Sequence, residues 1–334
     1  MDGEPDATFA GTPGLSYGRY SEMSGRGSIS LVALLLLIGG LAARAPGQGA
    51  WTRGAPLPSS RTEVTGAELG GRLYVIGGFG QGGDQVEAYD PRTDRWERRA
   101  ALPVPIHHTA AVATNGRLYV VGGYAGGQWA VLDSVFEYDP ATDRWRTRAP
   151  LPTARGALAA AVIDGRIYAA GGVDATRRNT GALEVYDAAG DRWEPRAPMP
   201  VPRDHLGAGA VGGKLHVVGG RLDGSYTRNL DAHHVYDPAT NRWTAAPPLP
   251  TARSGVAAAV LGSRLFVFGG EAPAGTFAQV EVYDTTASRW SALAPMPTPR
   301  HGLTAIPFEG RIHVLSGGPQ PGGSYSTVHE ILDP

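Results

Sequence analysis

The chain contains no cysteine. That absence excludes disulfides, thiolate catalysis, cysteine-ligated metals and a lipidated N-terminal cysteine. It does not fix the compartment, because a large β-fold needs no disulfide. Net charge is nearly absent as well, at −1, so no global field draws the chain to nucleic acid or an anionic membrane. Helical periodicity is missing: beyond residue 50 no stretch repeats its apolar residues at the spacing of a helix turn. No Ser-His-Asp order, phosphate loop, paired-carboxylate motif or helical metal motif is present. No metal site and no cofactor are therefore expected.

Glycine and proline are abundant instead, at 48 and 27 of 334 residues. That composition argues for many turns and against long helices. The apolar runs are short and end in Gly, Asn or Asp, which gives an all-β class. The N-terminus stands apart. Residues 1–28 are polar and rich in Gly and Ser, and are read as a disordered region. Residues 29–45 hold an apolar segment, Ile29–Ala43, preceded by Arg19 and Arg26 and followed by small residues. This is the layout of a secretory signal, with Ala43-Arg44-Ala45 as one exit site and a start at Met23 giving an ordinary length. The segment is shorter than the roughly 20 residues that span a bilayer comfortably, so cleaved signal and uncleaved anchor both stay open. Either one predicts a secreted or periplasmic protein with no membrane association beyond that anchor.

From Trp51 a phrase recurs along residues 46–334. Double glycines fall at Gly77-Gly78, Gly122-Gly123, Gly171-Gly172, Gly219-Gly220, Gly269-Gly270 and Gly317-Gly318. Tyr89, Tyr138, Tyr186, Tyr236 and Tyr283 each precede a tryptophan by seven residues: Trp96, Trp145, Trp193, Trp243 and Trp290. Each of these, and Trp51, precedes a proline by seven more. A fixed offset held through five or six copies marks a structural repeat.

This pattern resembles the kelch repeat. The resemblance implies a β-propeller of four-stranded antiparallel blades. In the second repeat the expected strands are A, about 108–113; B, 117–121; C, about 134–138; and D around Trp145. Asn115-Gly116 signals the A–B hairpin and Asp139-Pro140 the C–D turn. The repeat Tyr and Trp are expected to pack between blades. The last repeat stops after its third strand, and the first segment has Trp51 without a preceding double glycine. The sequence thus predicts six blades, the last completed by the N-terminal strand around Trp51, which removes free edges. A monomer is expected.

Strand order places the D–A and B–C connections on one face. The B–C loops vary in sequence, as binding loops on a rigid scaffold do. The D–A loops present Arg61, Arg155, Arg203, Arg253 and Arg300 at one aligned position, with Ile106 in the second repeat. Glu63, His108, Asp204, His205 and His301 lie close by, Arg221 is one of four B–C loop cations with Arg177, Arg178 and Arg228, and Trp129 stands outside the repeat pattern in a B–C loop. Five cations around an axial mouth would favour a carboxylate-bearing ligand. The competing reading pairs each arginine with an acid of its own blade, namely Glu87, Glu184, Glu281 or Glu330. Trp129 has two readings as well, an exposed binding aromatic or a loop-packing one.

The expected function is an extracytoplasmic module that binds a protein segment or a glycan, with acidic ligands favoured and no nucleic acid. The alternative is a cofactor-free carbohydrate enzyme. Some bacterial kelch proteins are sialic-acid mutarotases, and Glu63 or His205 suits such acid–base work. Galactose oxidase is also kelch-like, but its copper site needs a cysteine-linked tyrosine that this chain cannot form.

Overall fold

The structure, a computed structural model, describes residues 49–127 and 129–334. The expected disordered region and the signal or anchor segment lie outside the described residues. Among those described, the regular elements are all strands.

Six four-stranded antiparallel sheets follow one another along the chain. The first blade runs Thr65–Leu69, Arg72–Ile76, Val86–Asp90 and Arg95–Arg98, from innermost strand A to outermost strand D. The second runs Ala110–Thr114, Arg117–Val121, Val135–Asp139 and Arg144–Thr147. The innermost strands touch their neighbours in a closed ring, the sixth meeting the first. In the sixth blade the fourth strand is Ala50–Arg53, which pairs antiparallel with His329–Asp333 and sets Trp51 opposite Leu332. The chain is thereby clipped shut by its own start. His329–Asp333 is covered, and the last blade has four strands like the others.

The repeat residues hold blade to blade. Each of the six repeat tryptophans donates its indole N–H to a carbonyl of the preceding blade's exit loop. Trp96 reaches Ala55 O at 2.9 Å, and Trp145 reaches Ala100 O at 2.8 Å. Trp51 does the same to Ala294 O at 3.0 Å, so it obeys the rule of the interior repeats. In four blades the C–D turn adds a second link. Asp94 accepts the Tyr89 hydroxyl at 2.6 Å and the Ala55 amide at 2.7 Å, and Asp143, Asp191 and Asn241 repeat the arrangement. These side chains hang from backbone in the left-handed region, which Asp and Asn tolerate.

The double glycines have a specific cause. Gly77 and Gly78 both have positive φ, and the Gly78 amide donates to Ile106 O of the next blade at 2.8 Å. A Cβ on Gly77 would stand 2.5 Å from that same carbonyl. The pattern holds around the ring with one shift. In the last blade the left-handed pair is Ser316-Gly317, one residue earlier than the sequence pairing of Gly317 with Gly318, and the Gly317 amide reaches Arg61 O at 3.2 Å.

Strand A of the second blade starts at Ala110 rather than at His108. Ile106–His107 form a separate short strand against Tyr124–Ala125. His108 turns the chain with φ near 53°. One residue per blade makes this left-handed turn at the axis: Glu63, His108, Ala157, His205, Gly255 and Gly302. Their amides bond in sequence around the axis, His108 N to Glu63 O at 3.2 Å, Ala157 N to His108 O at 2.8 Å, and so on to Gly302 N. The Val64 amide closes the circle on Gly302 O at 3.3 Å. This ring fixes six Cα positions at the mouth, and whichever side chains stand there share one space.

Candidate functional site at the axial mouth

Three residues per blade build the mouth. One is the left-handed residue just named. The second precedes it, and the third follows the double glycine. The second and third face each other across a short antiparallel bridge: His107 and Tyr124, Asp204 and Arg221, Ser254 and Glu271, His301 and Gly318. Because the bridge is backbone-made, these side chains are aimed by the scaffold.

The five arginines are not part of this mouth. Arg61, Arg155, Arg203, Arg253 and Arg300 are each fully buried within their blades. Arg61 donates to Gly77 O at 2.6 Å and to Glu87 at 2.7 Å. Arg300 pairs with Glu330 at 2.6 Å, and Arg155 and Arg253 pair with Glu184 and Glu281. The guanidinium satisfies carbonyls that the double-glycine turn leaves without a ladder partner, while the in-blade carboxylate neutralises it. In the second blade both partners change together, to Ile106 and Phe136, which pack in one apolar cluster. The expected cationic ring is therefore structural, and the basis for an acidic ligand goes with it.

Glu63, His108 and His205 do converge. His108 Nε2 lies 3.4 Å from Glu63 Oε2. The His108 and His205 rings are 4.9 Å apart. His205 Nδ1 bonds the Asp204 carboxylate, and its Nε2 accepts from Arg221 Nη2 at 2.8 Å. Arg221 also donates to Asp204 at 3.2 Å and to Glu271 at 2.7 Å. His301 Nε2 stands 3.6 Å from both Glu63 and Glu271. Gly302 makes room for this, since a Cβ there would lie 2.6 Å from Glu63 Oε1.

Burial and charge act in opposite senses here. Burial pushes the His108 imidazole well below its ordinary value, helped by the nearby His205, His107, Arg221 and His301. It is a neutral base. Burial alone would raise Asp204 and Glu271. His205, Arg221 and Asn179 bring Asp204 down to about 2, and His301, the Gly322 amide and Arg221 hold Glu271 below the usual range. Both are carboxylates at neutral pH.

Above this floor opens a cavity of about 350 Å³, lined by Glu63, His108, Arg221, Glu271 and His301 below and by Phe79, Trp129, Tyr226 and Tyr325 at the side. Trp129 and Tyr325 are the exposed large apolar side chains among the described residues, at 41% and 45%. Trp129 does both things foreseen for it. It is exposed, and it leans on Phe79, His108 and Tyr124 at centroid distances of 5.4, 4.8 and 5.1 Å.

A family model for the KLHDC2/KLHL20/DRC7 Kelch-repeats domain matches residues 49–220 and 195–333. The chain belongs to the kelch-repeat family. Among solved structures, this kelch propeller is similar to one titled "Structure of YjhT". That similarity has a TM-score of 0.72 at 18% identity, over 82% of this chain and 95% of that one, and shows a shared fold. No curated protein matches the sequence.

Sequence reading of the kelch repeats placed Asp204, His301 and Arg221 on this face without selecting them as site residues, and it missed Glu271. The signal was present. Each sits beside an aligned repeat position, after the arginine or after the double glycine, and breaks the small or apolar pattern of that column. Glu63, His108 and His205 also bring one metal-ligating atom each within 4.8 Å of one another. No helical motif announces them, because they come from three blades.

Proposed function

We propose that the chain is an extracytoplasmic sugar-binding propeller whose axial mouth performs proton transfer on its ligand, as a sugar mutarotase does. The carrying observation is one cavity of about 350 Å³ that joins two exposed aromatics to a floor of buried acids and imidazoles. Its size is at the lower end for small-ligand sites, which pair apolar walls with a few convergent polar groups. An aromatic face suits the C–H face of a pyranose, and the floor suits its hydroxyls. With two carboxylates to one guanidinium at the floor and Asp204 buried behind Arg221, a neutral sugar is favoured over an acidic one. The Ile29–Ala43 segment supports export to where such sugars occur.

Anomer exchange needs a base for the anomeric hydroxyl and an acid for the ring oxygen. Glu271 is held as a carboxylate and serves as the base. His301, 3.6 Å from Glu271, passes that proton on to the ring oxygen as the bond from the anomeric carbon to the ring oxygen breaks and the anomeric oxygen becomes a carbonyl. The reverse sequence closes the ring on either face. The test is a panel of neutral and acidic monosaccharides, followed by ligand-observed NMR and by exchange spectroscopy of the anomeric protons. One neutral sugar should bind and exchange faster with wild type than with Glu271→Gln. If no sugar binds at millimolar concentration while peptides do, the site belongs to a protein-interaction module instead.

A further inference from the structure

We infer that Glu63, His108 and His205 form a binding site for one divalent transition-metal ion at the centre of the axial mouth. These three residues occupy the left-handed ring position of the first, second and fourth blades, where the other three blades have Ala157, Gly255 and Gly302. The chain thus crowds two imidazoles and a carboxylate into a space the remaining blades leave open. Their ligand atoms lie within 4.8 Å of one another. A shared ion at the usual 2.0–2.1 Å from each needs separations of roughly 3–3.5 Å, a closure within reach of side-chain rotation.

The surroundings match what ligating histidines need. A metal-bound imidazole carries its proton on the distal nitrogen, where a carboxylate or another acceptor holds it. His205 Nδ1 has Asp204, itself fully buried. His108 Nδ1 has His107 Nδ1 at 2.6 Å. Both therefore present Nε2 to the centre, and His108 Nε2 already faces Glu63. Charge agrees. Counted with neutral imidazoles, Glu63, Asp204 and Glu271 exceed the charge of Arg221 by two, buried or nearly so, and a divalent cation offsets that excess. Two nitrogens and one oxygen select zinc, cobalt, nickel or iron(II) over calcium or magnesium. The remaining coordination positions open onto the cavity.

Arg221 competes for this site. Its Nη2 lies on the His205 Nε2 lone pair, so a bound ion displaces that one contact while the bonds to Asp204 and Glu271 persist. Removing this cation is therefore expected to strengthen metal binding without adding a ligand.

The experiment uses untagged full-length protein, stripped with chelator and titrated with Zn²⁺ and Co²⁺. Wild type should take up one equivalent, with cobalt d–d bands that report mixed nitrogen and oxygen ligation. His108→Ala, His205→Ala and Glu63→Gln should each weaken binding at least 100-fold. Asp204→Asn should weaken it by roughly 10- to 100-fold through its hold on His205. Arg221→Gln should tighten it about 10-fold, a gain that misfolding does not mimic. Absence of stoichiometric uptake by wild type, or uptake unchanged in a folded His108→Ala/His205→Ala double variant, overturns the site. Sugar binding that persists in stripped protein leaves the functional reading intact whatever the metal result.

Discussion

Arg203 lies fully buried with its Nη1 3.3 Å from His234 Nδ1, at the position where four other blades set a glutamate against the arginine. Its remaining partners are carbonyls, those of Gly219, Val201 and Val217. With no carboxylate beside it, burial lowers Arg203 to about 10. The fourth blade thus holds a buried cation without its counter-charge. His234→Glu is expected to restore the pair of the sister blades and raise stability by about 1–3 kcal/mol, read by urea denaturation. The same measurement on Glu330→Gln, which strands Arg300, should show a loss of about 3–5 kcal/mol. Equal stability of all three proteins would refute the structural role given to the arginines.

Ring closure is tested at Trp51. Its indole bonds Ala294 O, and its ring meets Phe268 edge-on at 6.4 Å. Trp51→Ala should cost about 3–5 kcal/mol. Deleting 49–58 should do more, because it bares the strand His329–Asp333 as an open edge that invites aggregation. Light scattering during thermal unfolding separates the two effects.

Acid sensitivity should come from buried histidines: His107 and His108 at the mouth, and two pairs within the blades. His216 Nδ1 meets His233 Nε2 at 3.0 Å, and His313 Nδ1 meets His329 Nε2 at 2.9 Å. Burial lowers His216, His233 and His329 to about 4 and His313 to about 3. The unfolded chain binds protons near pH 6.5 while the folded one does not. Stability is thus full above that value, falls as pH drops toward about 4, and levels below it. The loss is on the order of 2–3 kcal/mol per imidazole before coupling within each pair. A melting curve series from pH 8 to 4 should show this slope, and His216→Gln/His233→Gln should flatten it. A wild-type profile level down to pH 4.5 would contradict the assignment.

The rim aromatics should matter for ligand and not for folding. Trp129→Ala is expected to leave the melting temperature within about 2 °C, since the residue stands on a loop outside the blade cores and is 41% exposed. It should weaken the bound sugar by about 1–2 kcal/mol. Arg155→Ala is the reverse case and should lower melting temperature. Calorimetry on both variants checks the pair of outcomes.

Export is checked at the N-terminus of protein recovered from its own host. Cleavage after the apolar segment predicts a mature chain beginning between about residues 43 and 50. Sequencing that finds Met1 or Met23 on cytoplasmic protein would remove the extracytoplasmic part of the proposal.

Local chemistry in the sequence determined the blades. In five blades the glycine pairs mark backbone where a Cβ would crowd a neighbouring carbonyl. Trp recurs because all six blade interfaces repeat its bond, and Tyr with Asp or Asn because four repeat theirs. Even closure was legible, since Trp51 had no blade of its own and the last repeat had no fourth strand. Tertiary structure alone decided which charged residues face the axial mouth. Arg155 and Arg203 read from the sequence as a cationic mouth, yet packing turned them into the blades, where carbonyls take their N–H groups and, for Arg155, Glu184 supplies a counter-charge. Glu63, His108 and His205 are far apart in the chain. They meet because a ring of six left-handed turns, each bonded to the next, brings one side chain per blade to the same axis.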